Sequence, residues 1–135
     1  MIAIVDTGPL YAAVDADDDA HVACVEALSD TRHRLVVPAM VVAEATYLVG
    51  RRLGPEVEAA FLRGLEVLDV DAPEPADWAR IAELVERYGD FPLGGTDASV
   101  VALAERLGTD LVITLDRRHL GAIRPKHCAA LRLLP

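Results

Sequence analysis

Five short, predominantly apolar segments recur along the chain, and they constrain its fold more than any other feature. They are Ile2–Val5, Leu35–Val37, Val67–Val70, Leu111–Thr114 and Leu131–Leu134. Strands with apolar residues at successive positions are typical of a parallel sheet that is covered on both faces, whereas half-exposed strands alternate. The segments therefore predict the strands of a mostly parallel sheet, although acidic residues dilute the third.

Helix signals fill the intervals between these strands. Thr96 is the predicted N-cap of the last helix, and Gly108 is its predicted end. Strands that alternate with helices predict an open α/β fold, and the length of 135 residues predicts a single domain over 1–135. The predicted helices are Ala20–Leu28, Ala39–Arg52, Glu56–Leu65, Ala76–Tyr88 and Asp97–Leu107.

Composition narrows the function classes. Hydrophobic residues make up 53% of the chain, enough to build a core, so the sequence is not that of a disordered acidic tail. The formal charge of -9 argues against nucleic-acid binding by general basicity, but it permits a local basic patch. No apolar run reaches the ~20 residues of a membrane span, and no secretory signal is visible, so we expect a cytoplasmic protein. Cys24 and Cys128 are expected to be buried thiols.

Four acidic residues far apart in sequence map to one edge of the predicted sheet. Asp6 ends the first strand, and Glu44 lies about two turns into the helix that follows the second. Asp97 opens a helix that leads to the fourth strand, and Asp116 follows that strand. Ligands of open α/β sheets bind beyond the carboxyl ends of the strands, which is where these acids fall. The helix around Glu44 is otherwise so apolar that we expect this carboxylate to be buried.

Clustered carboxylates repel each other unless a cation neutralises them. A hard divalent cation with oxygen ligands, Mg²⁺ or Mn²⁺, suits such a set, so the pattern predicts a metal site. Each acid also has a structural alternative, such as an Asx turn for Asp6 and Asp116 or a favourable helix-dipole position for Asp97.

The segments IVDTGPL, VVAE, TDASVVALAE and VITLDRRH together resemble the PIN domain, and more narrowly the VapC-type toxins of bacterial toxin–antitoxin pairs. The resemblance covers essentially the whole chain and implies a five-stranded parallel sheet flanked by helices. It also implies an Mg²⁺- or Mn²⁺-dependent ribonuclease, with metal-binding acids at Asp6, Glu44, Asp97 and Asp116. The family's active-site hydroxyls correspond to Thr7 and Thr114, whereas Gly8-Pro9 and Leu120 depart from its pattern.

For metal-assisted hydrolysis of a phosphodiester we assign Asp6, Asp97 and Asp116 as the main ligands. Glu44 is assigned as an orienting group or a base, and Thr7 as a group that positions water or phosphate. Five basic residues and no acidic ones follow Asp116. Four of these are candidates to hold the RNA backbone, the alternative being a solvated surface turn: Arg117, Arg118, Arg124 and Lys126.

The resemblance also implies partners. VapC-type toxins typically form homodimers, and each is held by a small antitoxin whose helix lies in an apolar groove. The helix in AMVVAEATYLV is apolar almost all round, so Tyr47 and Leu48 could extend an exposed apolar surface, the alternative being full burial. We expect the antitoxin across the helices after Pro38 and Pro55. The competing function is a PIN-like scaffold that binds RNA or protein without cutting.

Overall fold

Five parallel strands form one sheet in the computed structural model, which describes residues 1–135. They are β1 (Ile2–Val5), β2 (Arg34–Pro38), β3 (Asp69–Asp71), β4 (Leu111–Ile113) and β5 (Arg132–Leu134). The strand order is β3-β2-β1-β4-β5, and every neighbouring pair is parallel. The chain builds outward from β1 in one direction through β2 and β3, and in the other through β4 and β5. The gap between the carboxyl ends of β1 and β4 is therefore the topological switch point, where open α/β sheets bind ligands.

Seven α-helices connect the strands, and a 3₁₀ turn over Leu65–Val67 follows the fourth of them. None of the helices combines the length and the apolar character that crossing a bilayer requires. The helices are α1 (Thr7–Val14), α2 (His21–Leu28), α3 (Ala39–Leu53), α4 (Pro55–Gly64), α5 (Pro75–Arg87), α6 (Gly95–Leu107) and α7 (Arg117–Ala122).

The core lies around β1, β4 and α6. All residues of β4 are buried, as are Ala3–Val5 of β1 and the seven consecutive residues Ala98–Ala104 of α6. A helix buried all round needs small side chains for close approach, and alanines and Ser99 supply them here. Burial of each larger aliphatic side chain contributes about 1.5–3 kcal/mol, so this core holds the first turn of α6 firmly against the sheet edge.

The predicted sheet and all five predicted helices are confirmed, with two local errors. The third strand is Asp69–Asp71 rather than Val67–Val70, because Leu65–Val67 form the 3₁₀ turn and the strand begins only afterwards. This strand lies at the sheet edge and is mostly exposed, so it lacks the apolar run of a central strand. Thr96 does not cap α6, since the helix already begins at Gly95 with Gly94 as its N-cap.

The sequence analysis missed two helices, α1 and α7. Gly8-Pro9 looks like a turn, but a proline within the first helical turn lacks only an N–H that has no partner there. α7 is only six residues long and begins directly at its cap, Asp116. The cysteines are both free, and Cys24 is buried as predicted, whereas Cys128 is only partly buried.

Candidate active site

Asp6 links the central strand to the first helix. It follows β1 directly and is the N-cap of α1, where its Oδ1 accepts a hydrogen bond from the backbone N–H of Thr7 at 2.8 Å. Its own N–H donates to the carbonyl of Ile113 on β4, at 3.0 Å. Asp6 is only 5% exposed, so these contacts hold a buried carboxylate at the switch point.

Thr114 joins Asp6 to Asp116. Its hydroxyl donates to Asp6 Oδ2 at 2.8 Å and accepts from the backbone N–H of Asp116 at 2.9 Å. Asp116 caps α7, accepting from the N–H of His119 at 3.0 Å, and His119 Nδ1 lies 2.9 Å from Asp116 Oδ2. One buried hydroxyl thus fixes the positions of two carboxylates on neighbouring strands.

Asp97 and Glu44 reach the same place from the two helices beside the sheet. Asp97 lies in the first turn of α6 and is partly buried, as expected for an acid near a helix N-terminus. Glu44 lies in the second turn of α3 and is exposed, so the expectation that it is buried is wrong. The apolar face of α3 packs inward through Val41, Ala45 and Val49, and Glu44 projects from another face.

The four acids line one cavity of about 450 Å³, as the sequence analysis predicted from strand and helix ends. Its other lining residues are Thr7, Gly8, Leu48 and Leu115.

Electrostatic repulsion within the cavity shifts two pKa values. Burial, reinforced by the charges of Asp6, Asp116 and Glu44 and opposed by His119, raises the pKa of Asp97 to about 6. Burial also raises the pKa of Asp6, although the hydrogen bonds from Thr114 and from the Thr7 N–H oppose this shift. Acids in a low-dielectric cluster resist ionisation together unless a counter-charge is present.

No lysine or arginine supplies that counter-charge. None of the ion pairs in the chain involves Asp6, Glu44 or Asp97, and Asp116 pairs only with His119. By contrast, the acids around Arg80 and Arg106, far along α5 and α6, are all neutralised by guanidinium groups. The carboxylates of the cavity are the set that remains uncompensated.

The chemistry of these residues fits a hard divalent cation. All the side-chain donors are oxygen, as Mg²⁺ and Mn²⁺ prefer. The Oγ1 atom of Thr7, beside Asp6, is buried and has no hydrogen-bond partner within the protein. No three acidic, histidine or cysteine side chains converge closely enough to hold an ion as they stand, which follows from mutual repulsion in a metal-free arrangement.

The predicted RNA-binding cations divide into two groups. Arg117 and Arg118 are exposed in the first turn of α7, directly beside Asp116. Arg117 bonds to backbone oxygens of Leu133 and Pro135, and the guanidinium of Arg118 lies 5.6 Å from the centre of the Phe91 ring.

Lys126 and Arg124 lie farther along the chain, and both are exposed. The backbone N–H of Lys126 donates to Glu105 in the last turns of α6. Eight residues separate Glu105 from Asp97, or about 12 Å of helix, so Lys126 lies toward the opposite edge of the sheet.

Three features of the site escaped the sequence analysis. Thr114 was identified only as a second hydroxyl position, whereas it bridges two acids; its place two residues before Asp116, at the end of an apolar run, is the available signal. Leu48 and Leu115 line the cavity, but nothing in a sequence marks an apolar residue as lining a polar site.

Comparison with known proteins agrees with this geometry. The PIN domain family matches residues 3–123. The chain is also 42% identical over 127 residues to ribonuclease VapC26 of Mycobacterium tuberculosis, covering 90% of this chain and 92% of that relative. This chain therefore belongs to the PIN-domain family, among its VapC-type members.

Solved structures show the same fold. VapC20 of Mycobacterium tuberculosis, a toxin that cleaves the sarcin–ricin loop, superposes with a TM-score of 0.75 at 21% identity, covering 83% of this chain and 87% of that one. VapBC2 of Rickettsia felis, bound to a DNA fragment from its promoter, gives 0.73 at 17% identity with full coverage of both chains. VapBC of Salmonella typhimurium, also bound to DNA, gives 0.70 at 16%, covering 98% of this chain and 97% of that one.

Proposed function

We propose that this chain is a divalent-metal-dependent endoribonuclease, the toxin of a cytoplasmic toxin–antitoxin pair, and that residues 1–135 form one PIN domain. The observation that carries the proposal is the set of four uncompensated carboxylates around one cavity at the switch point of the sheet. The 42% identity to a VapC ribonuclease supports RNA as the substrate.

In this proposal Asp6, Asp97 and Asp116 hold Mg²⁺ or Mn²⁺. The cation supplies an activated water and neutralises charge on the scissile phosphate. Asp6 is preorganised for this by hydrogen bonds from Thr7 and Thr114, which fix both of its oxygens.

Glu44 has a different role from the three ligands. It is exposed at the cavity and comes from α3, so its carboxylate is available to accept a proton from a water molecule or to orient that water. The unpartnered Oγ1 of Thr7 is available to donate to the same water or to a phosphate oxygen.

We propose that Arg117 and Arg118 contact the RNA backbone, because they are exposed and flank an acid of the cavity. Arginine binds phosphate through charge and paired N–H groups, which offsets the repulsion between RNA and a chain of charge -9. Arg124 and Lys126 are proposed as outer contacts for a longer RNA.

A protein antitoxin is the proposed partner. An apolar groove of about 350 Å³ runs between α1, α4 and the 3₁₀ turn, and Tyr47 on α3 is 62% exposed. Apolar grooves of this kind accept the apolar face of an amphipathic helix. Similarity to VapBC complexes supports such a partner, and the chain by itself is proposed to be a homodimer.

RNA cleavage by the purified protein tests the proposed function. We expect cleavage in Mg²⁺ or Mn²⁺, none in excess chelator, and recovery when metal is restored. Asp116→Asn is expected to lose most activity, whereas Asp90→Asn, the same change at an exposed acid outside the cavity, is expected to retain it. Binding of RNA without any cleavage would favour the scaffold instead, and cleavage in excess chelator would contradict the metal site.

Co-purification tests the partner. Expression with the adjacent small reading frame is expected to yield a complex in which cleavage is inhibited, and light scattering is expected to show a dimer of the free chain. A complex that cleaves at full rate, or a free chain that stays monomeric at high concentration, would contradict these assignments.

A further inference from the structure

Leu115 is an exposed apolar residue in an acidic cavity. The four residues before it, Leu111–Thr114, are all buried, yet Leu115 is 42% exposed. It lines the cavity together with Leu48, which lies one helical turn after Glu44 on α3. No other large apolar side chain reaches the cavity.

The position of Leu115 is fixed by its neighbours. The N–H of Thr114 donates to the carbonyl of Leu134 at 2.7 Å, and the N–H of Asp116 donates to the Thr114 hydroxyl. Its side chain rests on Gly8, where an added Cβ would lie 3.4 Å from Cβ and Cδ1 of Leu115. The departure Gly8 from the family pattern thus leaves room for an ordered apolar surface at the cavity.

We infer that Leu115, together with Leu48, forms an apolar wall that packs against a nucleobase next to the scissile phosphate. This inference rests on the proposed function, because it assigns the base-contacting surface of the same site. The acids and their metal take up the phosphate, and they offer nothing to the flat apolar face of a base. Apolar side chains bordering a polar site are the usual surface for that part of a ligand.

The wall also sets what kind of selectivity to expect. Leucine has no hydrogen-bonding group, so Leu115 responds to the size of the base and not to its donor and acceptor pattern. A purine at this position is therefore expected to bind more tightly than a pyrimidine, and a nucleotide without a base more weakly than either.

A double-mutant cycle between protein and RNA tests this assignment. The probe is a short fluorescein-labelled RNA that spans a cleavage site mapped on total bacterial RNA digested by the wild-type protein. Two counterparts lack the base on the 5′ or the 3′ side of the scissile phosphate. Cleavage is measured in Mg²⁺, and binding is measured by anisotropy in Ca²⁺.

Leu115→Ala is expected to raise KM and Kd for the intact RNA about fivefold, with kcat little changed. One of the two base-lacking RNAs is expected to lose a similar factor with the wild-type protein and nothing more with Leu115→Ala. Leu115→Met is expected to retain near wild-type affinity. Leu62→Ala, at a leucine that is 44% exposed on α4 outside the cavity, is expected to change nothing.

Independent, multiplying effects of Leu115→Ala and base removal would overturn the inference. So would weaker Mn²⁺ binding by Leu115→Ala, since the effect would then come from the metal site. Unchanged RNA binding with weaker antitoxin binding would assign the wall to a protein contact instead. Failure of the wild-type protein to cleave any RNA is a separate outcome, which removes the proposed function and this inference with it.

Discussion

The hydroxyl of Thr114 donates a hydrogen bond to the carboxylate of Asp6 at 2.8 Å and so joins residues 108 positions apart. Both residues follow the strands on either side of the switch point, β4 and β1. Because the same hydroxyl also accepts from the N–H of Asp116, it determines where two proposed metal ligands lie.

Thr114→Val keeps the shape of the side chain but removes this hydroxyl. The pKa of Asp6 is expected to rise further, since the Thr114 hydrogen bond lowers it, and the N–H of Asp116 loses its acceptor. Loss of such an orienting partner typically weakens metal affinity about 10- to 100-fold. Mn²⁺ titration of Thr114→Val and of the control Thr114→Ser measures this, and equal affinity in all three proteins would show that the hydroxyl does not organise the site.

Asp97 makes the metal-free protein less stable as pH rises. Its pKa is about 6 in the folded state against an ordinary value of 3.8, so between these pH values the folded state binds a proton that the unfolded state releases. The free energy of unfolding therefore decreases from about pH 4 to pH 6, and Asp6 acts in the same direction. Acids paired with arginine, such as Asp110, have lowered pKa values and act in the opposite sense at lower pH.

Calorimetry in chelator tests this. The Tm of the wild-type protein minus that of Asp97→Asn is expected to fall between pH 4 and pH 7, and the fall is expected to shrink in saturating Mg²⁺. Asp90→Asn, at an exposed acid, serves as the control. A difference that is flat with pH would contradict the repulsion described for the cavity.

Arg106 holds α6 to β3 and α5. Its guanidinium pairs with Asp71 and Asp77, each at 2.8 Å, and its side chain is only 20% exposed. Arg106→Ala is expected to cost about 2 kcal/mol in urea unfolding, because it leaves partly buried carboxylates without partners. Arg34→Ala, which breaks the exposed 2.6 Å pair with Asp69, is expected to cost less than about 1 kcal/mol. Equal costs would show that burial does not determine the strength of these pairs.

Much of this architecture follows from sequence patterns. Continuous apolar runs predicted the parallel sheet, and acids at strand and helix ends predicted that Asp6, Glu44, Asp97 and Asp116 meet. Such predictions succeed because the ends of parallel strands share one edge.

What escaped prediction depends on tertiary contacts. The exposure of Glu44 follows from how α3 is rotated against the sheet, and the bridge through Thr114 follows from the register of β1 with β4. The position of Leu115 depends on Gly8, 107 residues earlier in the chain. Spacing along one chain does not contain these relationships.

The two groups of cations predict different salt effects. Arg118→Ala is expected to weaken RNA binding and to reduce the slope of log Kd against log salt by about 0.7, the value for one phosphate contact to single strands. Lys126→Ala makes the same charge change toward the opposite sheet edge and is expected to have a smaller effect on a short RNA. Anisotropy titrations over a range of salt concentrations measure both, and equal slopes would place the RNA on a different path.

The position of a bound metal is the most direct test of the site. Anomalous diffraction at the manganese edge, from crystals of this protein soaked in Mn²⁺, is expected to show a peak bordered by the carboxylates of Asp6, Asp97 and Asp116. Crystals of Asp97→Asn treated in the same way are expected to show a weaker peak or none. Full saturation with Mn²⁺ and no peak in this cavity, or a peak only elsewhere on the protein, would contradict the account.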